Sequence, residues 1–171
     1  MSENAVVNET AAAEKGAAVN GKAAAEHSEE KNAAAGGEAL RRQKRVLLSV
    51  AYDGTSYCGW QVQKNGETIE GVLNRELSRL FGEEITVIGA SRTDSGVHAL
   101  GNVAVFDTEA RMPADKMAYA LNSRLPDDIR IQRSFEVPSD FHPRKTACVK
   151  TYEYRILNRE FELPSERMNS Y

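Results

Sequence analysis

Apolar positions along the chain mark out seven elements. Val46 to Tyr52 is almost continuously apolar and rich in β-branched residues, and Asp53-Gly54 stops the run, so it reads as a strand. Ile69, Val72, Leu73, Leu77, Leu80 and Phe81 then recur at spacings of three and four, which draws one stripe along a helix. Thr68 is placed to cap its start and Gly82 its end. Ile85–Gly89 and Val103–Asp107 read as a second and a third strand. Pro113 opens a second helix that runs to about Asn122, at a first-turn position where a missing N–H costs nothing. Ile129–Val137 alternates as a fourth strand and Val149–Leu157 as a fifth.

The order β-α-β-β-α-β, with one strand added, predicts an α+β fold. The expected form is ferredoxin-like or RRM-like: an antiparallel sheet with its helices on one face. This pattern carries no function by itself. Residues 1–44 stand outside it. Thirteen of the first forty residues are Ala and none is aromatic. Such a stretch buries too little apolar surface to offset the entropy of ordering it, so 1–44 is expected to be a disordered leader and 45–171 the folded unit.

Charge changes the picture only when it is divided by segment. The chain carries a net −3, but seven Glu against three Lys in residues 1–40 leave the remainder at +1. Within that remainder, residues 141–159 hold Arg144, Lys145, Lys150, Arg155 and Arg159 against Glu153 alone. A stripe of this kind suits phosphate contacts, and it equally suits an ordinary solvated strand face. No apolar run approaches the roughly 20 residues that cross a bilayer, and the N-terminus lacks the apolar stretch of a secretory signal. Cys58 and Cys148 lie far apart without metal-ligand spacing and read as reduced thiols, so a cytoplasmic location is expected.

Three segments are too polar and Gly-rich to be core. Tyr52–Gln61 contains Asp-Gly-Thr, the end of a phosphatase signature, but Ala51 stands where the nucleophilic carboxylate would be, and that chemistry is excluded. As a structural element, the segment is a turn with Trp60 as its anchor. Gly89–Ala99 packs Arg92, Asp94 and His98 into a strand-connecting loop, the kind of place where reacting groups sit on a rigid scaffold. Arg92, two residues before Asp94, is expected to pair with it and hold the carboxylate ionised; an exposed ion pair on a surface turn would look the same in sequence. In the third, Tyr152, Tyr154 and Ile156 share one strand face, where a tyrosine can stack on a base or pack in a core.

Taken together and in order, these segments resemble the signatures of tRNA pseudouridine synthases of the TruA type. The runs that carry the resemblance are Tyr-Asp-Gly-Thr-Ser-Tyr-Cys-Gly-Trp-Gln-Val-Gln, Ser-Arg-Thr-Asp-Ser-Gly-Val-His-Ala, Leu-Asn-Ser-Arg-Leu-Pro-Asp-Asp-Ile and Lys-Thr-Tyr-Glu-Tyr-Arg-Ile. They span about Arg45 to Asn158, and the Arg-Thr-Asp-x-Gly-Val-His run is highly specific.

The resemblance implies an isomerase that turns uridine into pseudouridine in the anticodon stem-loop of tRNA without cofactor or metal, and it implies a homodimer. Asp94 matches the family's essential aspartate. Arg92 matches the arginine that fills the space left by the flipped nucleotide, since a stacked base cannot be detached and turned in place. Tyr152 matches the tyrosine that stacks on the target uracil. Gly96 and His98 would shape the loop, and Asp53, Gly54, Gly59 and Trp60 would support its floor. Arg144, Lys145 and Lys150 are candidate phosphate contacts. Family members continue for roughly another hundred residues as a second, similar half, so the chain is expected to be the N-terminal half. The alternative is a non-catalytic RNA-binding remnant.

Overall fold

A computed structural model describes residues 5–8, 42–158, 160, 161 and 164. Eight elements follow one another among them. They are β1 (Ala5–Asn8), β2 (Lys44–Tyr52), α1 (Ile69–Phe81), β3 (Ile88–Gly89), β4 (His98–Thr108), α2 (Ala114–Asn122), β5 (Ile129–Val137) and β6 (Thr151–Tyr154). The strands form one sheet in the order β5-β2-β4-β1-β6, with β3 paired to β4. All pairings are antiparallel except the short parallel contact of β1 with β4.

Strand β2 lies between β4 and β5 because it is apolar on both faces. Val46, Leu48, Val50 and Tyr52 point to the side covered by the helices, where they meet Ile69, Val72, Leu73 and Leu77 of α1 and Met117 and Leu121 of α2. Burying one such aliphatic side chain fully is worth about 1.5–3 kcal/mol, so the α1 stripe outweighs the contribution of either cap. On the opposite face Leu47 sits beside Val105, both almost fully buried. The chain after β5 returns past that face, held where Arg45 Nη1 donates to the Phe141 carbonyl (2.9 Å) and Arg144 Nε to that of Gly89 (3.1 Å). The α+β antiparallel sheet with helices on one face is thus the observed fold.

The ends of several elements differ from the sequence reading. Helix α1 has the expected boundaries, with Thr68 accepting from the Gly71 amide and Gly82 left-handed at φ 71°. Helix α2 begins at Ala114, so Pro113 stands just before its first turn, not within it. Only Ile88–Gly89 of the expected 85–89 strand joins the ladder. The amides of Ile85 and Val87 bond instead to Ser78 Oγ (2.9 Å) and Asn74 Oδ1 (2.8 Å) on α1. The last strand is confined to Thr151–Tyr154, inside the expected 149–157. Within the segment read as a disordered leader, Ala5–Asn8 is a strand, consistent with the β-branched pair Val6-Val7, and Lys44 already belongs to β2. Residues 9–41 lie outside the described residues.

Candidate active site

Two loops at one end of the sheet dock against each other through their backbones. The first, residues 53–61, leaves β2, and its Trp60 amide donates to the Thr93 carbonyl (3.0 Å) in the second. The Tyr57 carbonyl accepts from Ser95 Oγ (3.1 Å) and the Gly96 amide (3.4 Å). This approach is close enough to demand glycine. A Cβ on Gly54 would lie 2.1 Å from the Val97 carbonyl oxygen. One on Gly59, whose φ is +79°, would lie 2.6 Å from that of Thr93. The carbonyls of Gly59 and Trp60 then accept the first amides of α1, Ile69 at 3.2 Å and Glu70 at 3.0 Å. The same short stretch therefore caps the helix and supports the second loop.

In that second loop burial alternates. Ser91 and Thr93 are buried, while Arg92 and Asp94 are exposed. Asn102 of β4, with no exposed surface, clasps Ser91 from both sides: its Nδ2 donates to the Ser91 carbonyl (3.1 Å) and its Oδ1 accepts from the Ser91 amide (3.3 Å). The Tyr52 hydroxyl meets Thr93 Oγ1 at 2.8 Å and Asn102 Nδ2 at 3.4 Å. After Asp94 the chain turns, the Val97 amide donating to the Asp94 carbonyl (3.2 Å). Gly96 takes φ 80° at the third position, as a type II turn requires. Asp94 is thereby held out toward solvent.

Arg92 and Asp94 do not form the expected ion pair: among the described residues neither side chain has a hydrogen bond or an ion pair. Both are solvated, and in water such a pair is worth only about 0–1 kcal/mol, too little to fix two mobile side chains.

His98 follows the turn and is 8% exposed. Its Nδ1 lies 3.0 Å from Asp53 Oδ1 and 3.3 Å from the Gly54 amide nitrogen. One ring nitrogen cannot donate to the first and accept from the second at once, and the shorter contact, with a carboxylate, favours donation to Asp53. Burial pushes the Asp53 carboxyl up, but hydrogen bonds from the Thr55 hydroxyl and amide, together with His98, outweigh it and hold the group below the usual carboxylate range. Burial also raises the Tyr57 hydroxyl, which donates to Asp128 at 2.6 Å. Trp60, 1% exposed, fills the core beside Tyr52 with ring centroids 6.0 Å apart.

Tyr152 comes to the same end of the sheet. It pairs with Val7, which pairs with Ala99, itself level with Tyr52. Tyr152 is therefore two strand spacings, about 10 Å, from the strand that leaves the Asp94 loop, and 53% of it is exposed. Of the basic residues, Lys150 Nζ donates to Ser91 Oγ (2.7 Å) and the Ala90 carbonyl (3.1 Å), tying down the start of the loop. Arg144 Nε is committed to Gly89, and Lys145 is exposed. Among the described residues no three His, Cys, Asp or Glu side chains converge to hold a metal ion, and Cys58 and Cys148 are both free. No helix of the described residues is long and apolar enough to cross a membrane.

Asn102, Tyr52 and Thr93 were not singled out in the sequence reading. The available signals were a lone Asn within an apolar strand and small hydroxyl residues alternating with Arg92 and Asp94.

Residues 48–144, which include both docked loops, match the family model described as tRNA pseudouridine synthase. The chain belongs to this family. A tRNA pseudouridine synthase A of Thermoanaerobacter sp. (strain X514) is 51% identical over 124 residues, covering 72% of this chain and 51% of that protein. One from Acetivibrio thermocellus is 49% identical over 128 residues, covering 75% and 52%. One from Ruminiclostridium cellulolyticum is 51% identical over 115 residues, covering 67% and 47%. The chain thus spans about half the length of the curated relatives it matches. Of the residues discussed as pseudouridine synthase site candidates, Lys145, Lys150 and Tyr152 fall beyond the span of the family match.

Proposed function

We propose that this chain forms the N-terminal catalytic half of a tRNA pseudouridine synthase, acting on uridines of the anticodon stem-loop with Asp94 as the reacting carboxylate. The observation that carries this reading is the Arg92–His98 run, inside the family match, held so that Asp94 projects from an anchored loop into solvent. In the reaction, the bond from N1 to C1′ breaks, the uracil turns, and a bond from C5 to C1′ forms as the C5 proton leaves. An ionised carboxylate can add to the sugar or base, or remove a sugar proton, dividing one difficult step into easier ones. Such a base must first leave the stack.

Within this reading Arg92, unpaired among the described residues and exposed, occupies the vacated stack, and Tyr152 lies against the extruded uracil. Asp53, Gly54, Gly59, Trp60, Gly96 and His98 hold the loop. Arg144 and Lys145 meet backbone phosphates, whereas Lys150 is assigned to the loop it already binds. A cytoplasmic homodimer acting without cofactor or metal completes the proposal.

The test is to incubate unmodified tRNA with the full-length protein and map pseudouridine by position. Isomerisation within the anticodon stem-loop is the expected result. Pseudouridine formed only elsewhere contradicts the substrate assignment. Tight tRNA binding without any isomerisation favours the non-catalytic RNA-binding alternative.

A further inference from the structure

The loop that carries Asp94 hangs from side chains that have no part in the chemistry just described. Asn102 and the hydroxyls of Tyr52 and Thr93 form a continuous polar chain, from the Ser91 backbone through Asn102 Nδ2 and Tyr52 Oη to Thr93 Oγ1. Asn102 is completely buried, Tyr52 is 4% exposed and Thr93 9%. Placing these groups in a core is costly unless every one is satisfied, and among the described residues no buried side-chain nitrogen or oxygen lacks a partner. Asn102 is thus a polar residue on a strand face whose other members, Ala104 and Phe106, are apolar core.

We propose that Asn102, acting through Tyr52 and Thr93, is the positioning element that sets where the Asp94 carboxylate stands during isomerisation. Its two bonds fix Ser91, and the Tyr52–Thr93 contact fixes the residue immediately before Asp94. The intervening Arg92 and the following Asp94 are left outside on a frame pinned at alternate residues. Asp94 has no side-chain hydrogen bond or ion pair of its own among the described residues, so its location is set through the loop backbone: by this frame, by the turn at Gly96, by the Trp60–Thr93 bond and by Lys150 on Ser91. A misplacement of about 1 Å in a reacting group costs on the order of 100-fold in rate. The inference rests on the reading of Asp94 given above and adds to it three buried residues that act through the loop backbone.

The test uses the full-length protein with Thr93→Val and Tyr52→Phe, each of which removes one hydroxyl while keeping shape and so breaks the link from Asn102 to Thr93. Thr93→Ser serves as the conservative rescue. Ser134→Ala is the control: Ser134 is also a buried hydroxyl, bonded to the Ala118 amide (2.9 Å) and the Ala114 carbonyl (2.6 Å), but it stands on β5, two strands from β4, and these bonds go to α2 and not to the loop. The expected result is a fall in kcat of about 10–100-fold for Thr93→Val and Tyr52→Phe, with KM for tRNA within about 3-fold of the parent. Thr93→Ser should return most of the rate, and Ser134→Ala should lose stability without losing kcat. Unchanged kcat in Thr93→Val and Tyr52→Phe overturns the inference. So does an equal fall in Ser134→Ala, which would reduce the effect to general destabilisation. Asp94→Asn, run in parallel, separates the two levels. If it is inactive while Thr93→Val and Tyr52→Phe turn over normally, only the positioning role fails. If Asp94→Asn itself is fully active, the underlying reading fails and this inference with it.

Discussion

Asp53, though its side chain is largely exposed, is held below the ordinary carboxylate range: desolvation pushes it up, but Thr55 and His98 stabilise its charge by more. A carboxyl with a lower pKa folded than unfolded adds stability above its unfolded value, and that stability disappears as pH falls through the folded one. Removing the side chain with Asp53→Ala should therefore lower the thermal midpoint at neutral pH. The gap between variant and parent should close as the pH is taken below 3.8, the ordinary value for the group. A gap that is constant across an acid titration would mean the His98 and Thr55 contacts contribute nothing through charge. Asp53 was legible in the sequence only as turn chemistry. Its pairing with His98, 45 residues away, depends on how two loops meet, and no local pattern encodes that.

The docking of the 53–61 loop on the 91–97 loop links capping, packing and site geometry in a single stretch. Gly59 is its tightest point: its φ of +79° disfavours any L side chain, and a Cβ there would strike the Thr93 carbonyl. Gly59→Ala should destabilise the protein by at least about 1–2 kcal/mol in urea unfolding. It should also raise amide exchange at Trp60 and Val97 more than in β2. A variant as stable as the parent, with loop exchange unaltered, would contradict the close approach. The elements themselves were largely readable. The α1 stripe and its caps gave both ends of that helix, and alternation gave Ile129–Val137, although it breaks at Gln132–Ser134 where the register with β2 shifts. Strand β4 starts at His98, five residues before the expected Val103, because Gly101 and Asn102 disguise a strand whose polar residue points into the core. Strand β3 is shorter than its apolar run because helix side chains, not a neighbouring strand, take its first amides.

At the scale of the molecule, the sheet brings one loop, one tyrosine-bearing strand and a set of basic residues to a common end, while the helices close only the other face. Large apolar side chains at Val149, Tyr152, Tyr154 and Ile156 stand more than half exposed along and beside β6, in a chain that spans half the length of its relatives. The candidate site was legible because its residues sit in contiguous runs. The frame beneath it was not, since Tyr52, Thr93 and Asn102 converge only on folding. In the proposed reaction the outward carboxylate of Asp94 performs the isomerisation. Tritium release from C5-labelled uridine in tRNA measures it directly, comparing full-length parent with Asp94→Asn and with tRNA binding followed in parallel. Loss of release to background with binding retained is the expected result; release at the parental rate would mean that a group other than the Asp94 carboxylate reacts.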